Sequence, residues 1–210
     1  MPRTSDRQTR RKNETRAKLI AAARVLLARQ GAEATRIQEI TEEADVGFGS
    51  FYNHFSSKEE IVEAVLSETL VSQAAAVAAV EKEIDDPAEV ISAAHRSFVL
   101  RARSDPDWGW LLLRLDASHD LVTNALGPFA RRDLKAATKA GRLNVPDLGV
   151  ALSAQGGAMI AVMRSVVDGT APEDADIFHA EGVLRMLGLP ADEAAEVARR
   201  PLPAAVTEQP

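Results

Sequence analysis

Apolar residues recur every three or four positions along most of the chain, which is the spacing of one face of an α-helix. The first stripe predicts a helix over 14–30, and Gly31 ends it because glycine commonly follows the last helical turn. Thr35 is the candidate N-cap of a second helix over 36–44. No stretch sustains a period of two with β-branched and aromatic residues, so the sequence predicts an all-α fold.

A turn is predicted at 45–47, since Asp tolerates and Gly readily adopts the left-handed backbone region. A third short helix follows over 48–54. Its core-facing candidates are Phe51 and Phe55. Ser57 and Glu60 have the spacing of a capping box and open a fourth helix that runs to about residue 84. Two short helices between two long ones, joined in the middle by a three-residue turn, predict a helix-turn-helix.

The rest of the chain is a second helical region broken at proline- and glycine-containing segments. Its helices are predicted over 87–104, 107–117, 119–140, 146–168 and 174–188. A proline-rich tail follows, with one short helix over 191–199.

Composition narrows the class of protein. The chain has 210 residues, 46% of them hydrophobic, which is enough for a real core. It has no cysteine, so disulfide scaffolds, thiolate zinc sites and cysteine nucleophiles are excluded. No uninterrupted apolar run approaches the roughly 20 residues that span a bilayer, so we expect a cytoplasmic protein.

The net charge of −6 conceals an asymmetry between the front of the chain and the remainder. Residues 1–36 hold ten Lys or Arg and three Asp or Glu, a net charge of +7, and residues 37–210 therefore carry −13. A polyanion could bind the front of the molecule. Arg10, Arg11 and Lys12 precede the first stripe and could follow a DNA backbone or minor groove. A disordered, solubilising tail is the alternative.

Residues 34–59 read ATRIQEITEEADVGFGSFYNHFSSKE. This stretch resembles the TetR-type transcriptional regulators, whose pattern has a threonine opening the second helix, a glycine-containing turn, and tyrosine, histidine, phenylalanine and lysine at matching spacings. Asp45 stands where that family usually has glycine, and Gly47 where it usually has serine or threonine. The resemblance implies a homodimeric repressor that a small-molecule effector releases from a near-palindromic DNA operator, without a cofactor.

The resemblance divides the chain into four parts: a basic flexible arm (1–12), a helix-turn-helix DNA-binding domain (13–60), a helical ligand-binding and dimerisation domain (61–189) and a mostly disordered tail (190–210). Gly49 lets the backbone approach DNA closely. Tyr52, His54 and Lys58 match phosphate contacts, whereas Asn53 and Gln38 are candidate base readers. The full set of candidate DNA-binding residues is Arg36, Gln38, Phe48, Gly49, Ser50, Tyr52, Asn53, His54 and Lys58.

In the second domain the resemblance implies an apolar effector pocket, although each candidate could equally belong to the core. The candidates are Phe98, Trp108, Trp110, Leu111, Leu115, Phe129, Met159 and Met163. It also implies that helices 146–168 and 174–188 pair across a two-fold axis. The small residues that would permit close approach there, or face an internal neighbour instead, are Ala154, Gly156, Gly157, Ala158 and Ala161.

Two other classes of function stay open. Asp116 with His119 and Asp176 with His179 share helix faces, as metal ligands in a helical enzyme would. Four histidines and 31 acidic residues produce such pairs by chance, so we predict no metal site and no catalytic residues. A protein-interaction module is the other alternative. Gly47-x-Gly49 follows no strand, so a dinucleotide-binding loop is not indicated.

Overall fold

In the computed structural model, residues 3–119 and 121–203 are described, with the exception of the side chains of 3–7, 72, 76, 79–81, 116–119 and 121–125. Within these residues the chain forms ten helices and no strand. They are α1 (Arg3–Ala34), α2 (Ile37–Glu43), α3 (Phe48–Phe51), α4 (Lys58–Glu83), α5 (Pro87–Ser104), α6 (Pro106–His119), α7 (Leu121–Lys139), α8 (Leu148–Val167), α9 (Ala175–Met186) and α10 (Ala191–Ala198). The all-α fold predicted from the sequence is confirmed.

The first helix is longer than its apolar stripe. It begins at Arg3, so the backbone of the predicted flexible arm is helical from that residue. Gly31 breaks it with φ 79° and ψ 172°, where the sequence predicted its end. Thr35 is not the N-cap of α2, because its hydroxyl donates to the Gly31 backbone oxygen at 2.7 Å. Arg36 occupies the cap position instead, and its backbone N–H donates to Glu39 Oε2 at 2.8 Å.

The predicted turn between α2 and α3 is present. Asp45 has φ 53°, so a residue other than glycine adopts the left-handed region there. Regular helix ends at Phe51, but the amide groups of residues 53–55 donate to the backbone oxygens of Ser50 and Phe51, so the helical path continues towards Phe55. Phe51 and Phe55 are buried, as predicted.

In the second region, side-chain caps fix where helices begin. Asp86 accepts from the Ala88 N–H at 3.1 Å, and Asp147 accepts from the Val150 N–H at 2.8 Å. These bonds satisfy amide groups that have no partner within their own helix. All six predicted helices of this region begin within two residues of the observed position.

One apolar core joins the helix-turn-helix to the second region. α1 packs along α6, and the side chains that meet there are fully buried. Trp108, Leu111 and Leu115 of α6 belong to the same buried cluster as Leu19 and Leu27 of α1. The two parts are therefore connected by tight packing.

The short helix predicted over 191–199 is present as α10. α10 packs against α9 and α5, with Ala194 and Val197 buried. Arg200 follows it and pairs with Glu89 at 2.6 Å and Asp86 at 3.3 Å. Arg142 holds Asp86 from the other side at 2.8 Å. This ion-pair network ties α10 to α5.

α8 carries an apolar face that the described chain leaves uncovered. Its mean hydropathy is 1.4 with only 17% of the residues buried, and by length and composition alone it could span a membrane, which the sequence analysis did not anticipate. Small residues line this exposed face: Ala154, Gly157, Ala158 and Ala161. On the adjacent α9, Phe178 is 54% exposed, and Met186 is exposed as well.

Candidate DNA-binding surface and effector cavity

The segment from α3 to the start of α4 presents polar and aromatic side chains to solvent. Phe48 and Tyr52 are 52% and 54% exposed, although large aromatic side chains are usually more buried. Asn53 and Gly49 are exposed too, and a Cβ built on Gly49 meets no atom within 4 Å. Another molecule can therefore approach this backbone closely. Ser50 is half-buried.

Packing underneath holds the Tyr52 ring in place. It makes edge-on contacts with Phe51, at 5.4 Å between ring centroids, and with Phe48, at 5.8 Å. Phe51 in turn contacts Phe55 in the core. Aromatic contacts therefore support one part of the Tyr52 ring, and the rest of it is exposed to solvent.

Lys58 and Gln38 have internal partners. Lys58 Nζ donates to the Ala32 backbone oxygen at 2.9 Å and so caps the end of α1. Gln38 Nε2 donates to Glu42 Oε1 at 2.8 Å. Both side chains must exchange or share these bonds to contact DNA. Arg36 is exposed beside them at the start of α2.

His54 lies in a basic environment. Partial burial, and then the positive charges of Lys12 and Arg16, lower the pKa of its imidazole. Its Nδ1 atom is buried and has no hydrogen-bond partner among the described residues. Arg16 also stacks over the Phe55 ring, 5.1 Å from its centroid. The basic half of α1 (residues 10–18) therefore adjoins residues 48–54, here called the recognition segment, and the two form one positively charged surface. Neither stretch of sequence alone indicates that they lie side by side.

The second domain encloses a cavity of about 710 Å³. α4, α5, α6, α7 and α8 all contribute to its walls. Four of the predicted pocket residues line it: Phe98, Phe129, Met159 and Met163. This volume lies in the range of natural small-molecule sites, and most of the lining is apolar.

The other four predicted pocket residues do not line the cavity. Trp108, Leu111 and Leu115 are fully buried in the core between α6 and α1. Trp110 packs at the edge of this core, with the guanidinium groups of Arg114 and Arg164 over its ring at 4.9 and 5.8 Å. For these four side chains the structure supports the alternative that they belong to the core instead of the pocket. A stripe of large apolar residues does not distinguish the side of a helix that faces a cavity from the side that faces a neighbour.

The cavity contains buried polar groups that the sequence analysis missed. His95 Nδ1 lies 2.9 Å from His179 Nε2, and His95 Nε2 lies 3.3 Å from Gln155 Oε1. Gln73, also buried, donates to Ser97 Oγ at 2.8 Å. The available signal was a glutamine within the apolar α8, because a buried polar side chain needs a partner or a function.

Of the two Asp–His pairs considered as metal ligands, one has other partners and the other lies outside the described side chains. Asp176 forms a buried ion pair with Arg96 at 2.8 Å, and His179 pairs with His95. The side chains of Asp116 and His119 lie outside the described residues. Among the side chains that are described, no group of three or more metal-ligating residues occurs.

Two family models match the chain. Residues 19–65 match the bacterial regulatory proteins of the tetR family, and residues 86–200, more than half of the chain, match the tetracyclin repressor-like C-terminal domain. The chain belongs to the TetR family. The helix-turn-helix and the helical domain with its cavity thus correspond to the two matched regions.

Solved structures agree with this membership. RolR in complex with resorcinol is 37% identical, with a TM-score of 0.74 over 94% of this chain and 99% of that one. A gamma-butyrolactone receptor (ArpA-like protein) is 20% identical with a TM-score of 0.64 and shows the shared fold.

The curated relatives match about a third of the chain. The repressor KstR2 of Mycobacterium tuberculosis is 38% identical over 61 residues, which is 29% of this chain and 30% of KstR2. The prediction of a TetR-family DNA-binding transcriptional regulator is confirmed at this level, and the comparisons do not favour the metal-enzyme alternative. Members of this family are normally not enzymes.

Proposed function

We propose that this TetR-family protein is a homodimeric repressor that binds a near-palindromic operator and leaves it when a small molecule enters the cavity. The observation that carries the proposal is the exposed recognition segment, residues 48–54, adjoining the basic half of α1. A helix of this kind fits the major groove of B-form DNA. The acidic remainder of the chain holds two such helix-turn-helix domains in the dimer and controls their arrangement.

The DNA-binding roles follow from side-chain chemistry. Asn53 is exposed, and its amide can donate to and accept from an adenine edge. Tyr52 and Ser50 present hydroxyl groups to phosphate oxygens, and Lys58 and Arg36 supply cationic groups beside them. Gly49 permits close approach. Gln38 is the second base-reading candidate once its bond to Glu42 is exchanged.

The exposed apolar face of α8 and α9 is the proposed dimer interface. A second copy of the chain would cover Ala158 and its small neighbours and bury Phe178. Burying apolar side chains removes them from water, and small residues let two helices approach closely. A covered α8 accounts for a surface helix of mean hydropathy 1.4 in a cytoplasmic regulator without invoking a membrane.

α6 connects effector binding to the DNA-binding head. Leu112 lines the cavity, whereas Trp108 and Leu115 on the same helix pack in the core with α1. Arg24 of α1 also pairs with Asp105, just before α6, at 3.3 Å. An effector that binds better to a displaced α6 shifts the heads out of register with the operator, to the extent of its differential affinity.

The effector class is proposed from the cavity and from one relative. Phe98, Phe129 and Met159 offer apolar walls, and the 37% identical RolR is known with the single-ring compound resorcinol. We therefore propose a small aromatic molecule.

Titration of labelled upstream DNA of the protein's own gene tests DNA binding. Fluorescence anisotropy should show tighter binding to this fragment than to a shuffled fragment of equal length, and added resorcinol should release the protein. Equal affinity for both fragments at low salt contradicts the proposal.

Light scattering tests the dimer with a matched pair of variants. Ala158→Glu places a charge on the exposed face of α8 and should yield a monomer with weakened operator binding. Ala136→Glu makes the same change on an exposed position of α7 and should stay dimeric. Two dimers contradict the proposed interface.

A further inference from the structure

Two buried polar side chains at one wall of the cavity, His95 and Gln155, form a directional hydrogen-bonded chain with the half-buried His179, which does not itself line the cavity. His179, His95 and Gln155 are joined by contacts of 2.9 and 3.3 Å. Gln155 is 4% exposed and His95 is 9% exposed, so water contributes little to their hydrogen bonding. Such a chain has few internally consistent arrangements of its protons.

The acceptor at one end of this hydrogen-bonded series, Gln155 Oε1, fixes the tautomers of His95 and His179. Gln155 Oε1 accepts, so His95 Nε2 carries its hydrogen. His95 Nδ1 then accepts from His179 Nε2. Tautomers are inferred in this way from the surrounding network.

Both imidazoles are neutral at physiological pH. Burial, and then the neighbouring His179, lower the pKa of His95 to about 3. Burial lowers the pKa of His179 to about 4. This wall of the cavity consequently offers hydrogen bonds without a positive charge.

The Gln155 amide nitrogen is the remaining polar atom of this group. It has no hydrogen bond within the part of the chain that the structure describes, yet Gln155 lines the cavity and is almost entirely buried. Among the described residues this nitrogen is not one of the fully enclosed unpaired atoms, so it is open to the cavity, where a ligand oxygen can accept from it. Gln73, the other lining amide, already bonds to Ser97 and Arg101.

We propose that Gln155 and His95 form the specificity corner of the effector cavity and that the effector is a neutral phenol, whose hydroxyl oxygen accepts from the Gln155 amide. This inference rests on the proposed function, because it names the chemistry of the same effector site. The apolar walls formed by Phe98, Met159 and Met163 receive the ring. His179 is a positioning residue that donates to His95 Nδ1 and so holds His95 in the orientation in which its Nε2–H meets Gln155 Oε1.

The charged lining residues lie elsewhere. Arg131, Arg132 and Asp133 reach the cavity from α7, where both arginines are exposed and Arg132 pairs with Asp133 at 2.9 Å. A carboxylate effector would select this side of the cavity. Whether the protein prefers a phenol or a carboxylate therefore shows whether the Gln155 side or the α7 side of the cavity determines specificity.

Calorimetric titration of the intact dimer with three single-ring probes tests the inference. Resorcinol supplies hydroxyls, m-xylene replaces them with methyl groups, and 3-hydroxybenzoate replaces one with a carboxylate. Wild-type protein should bind resorcinol about tenfold more tightly than either of the others, the effect of roughly one well-made hydrogen bond. Tighter binding of 3-hydroxybenzoate, or no binding of resorcinol, overturns the inference.

Gln155→Leu separates the hydrogen bond from the shape of the cavity. It should weaken resorcinol binding about tenfold and leave m-xylene binding unchanged or improved. Met159→Leu, a change in the apolar wall, should alter both affinities by similar factors. Equal weakening of both probes by Gln155→Leu overturns the inference, once thermal unfolding shows that the variant is folded.

The role of His179 has its own readout. His179→Phe should lower the ratio of resorcinol to m-xylene affinity, and His179→Gln, which retains an N–H donor, should restore it. An unchanged ratio in both variants overturns the positioning role. DNA binding without ligand is measured separately, so a failure of the specificity corner is distinguishable from a failure of the proposed repressor function.

Discussion

The DNA-binding head and the effector domain place their sites in different ways. The candidate DNA surface draws on residues 36–58, with polar side chains exposed above a buried pair of phenylalanines. The cavity draws its walls from five helices spread over residues 73–163. A local site leaves a local pattern in the sequence, whereas a cavity depends on where helices distant in sequence fail to fill the space between them.

The packed core and the cavity should respond differently when one aromatic side chain is removed from each. Trp108→Ala should lower the free energy of unfolding by about 3–5 kcal/mol, because a fully buried indole leaves a large void. Phe129→Ala should cost less than about 1 kcal/mol, since Phe129 is 50% exposed at the cavity. Urea unfolding followed by circular dichroism measures both. Similar costs would show that the assignment of Trp108 to the core is wrong.

Within the head, one side chain should carry sequence discrimination. Asn53→Ala should weaken operator binding by about 1–3 kcal/mol, the value of a bidentate contact to a base, and leave binding to shuffled DNA unchanged. Anisotropy titrations on both fragments measure the difference. Asn144→Ala, the same change at an exposed position outside the head, is the control. Equal losses on both fragments would remove Asn53 from base reading.

The ion-pair network around α10 should make the second domain sensitive to acid. The hydrogen bond from Arg142 is the main cause that lowers the pKa of Asp86, so its stabilising effect is present above the ordinary Asp pKa and is lost as the pH falls through the lowered value. Asp86→Asn should cost about 1 kcal/mol at neutral pH and little in strong acid. Thermal unfolding across pH measures this, and a cost that does not change with pH would contradict it.

The smallest expected effect concerns the basic half of α1. If Lys12 contacts a phosphate, Lys12→Ala should reduce the slope of log K against log salt by about 0.9, equally for operator and shuffled DNA. Lys135→Ala, on α7, serves as the matched control and should leave the slope unchanged. A loss confined to the operator would assign Lys12 to base reading instead.

Helix positions were predictable where a side chain marks them. Gly31, Asp86 and Asp147 end or begin helices near the expected residues, because each satisfies a local backbone requirement. Thr35 was wrong as a cap, since its hydroxyl bonds backwards to Gly31. The position of α10 was predicted, but its packing and its ion pairs with distant residues were not, because no local pattern reveals them.

The candidate sites show the same difference between features with a local sequence pattern and features that depend on distant residues. All nine candidate DNA-binding residues are exposed or half-buried, as a contact surface requires, although their contacts with DNA stay predictions. Half of the predicted pocket residues face the core because large apolar side chains occur on both sides of α6. Gln155 and His95 became visible only when the fold brought α5, α8 and α9 together.

A footprint of the intact protein on the upstream DNA of its own gene is the decisive test of operator binding by residues 48–54. We expect two protected half-sites related by two-fold symmetry, about one helical turn or a multiple of it apart, and loss of this pattern with Asn53→Ala. Uniform protection without sequence preference, or no protection at low salt in the absence of any effector, would contradict it.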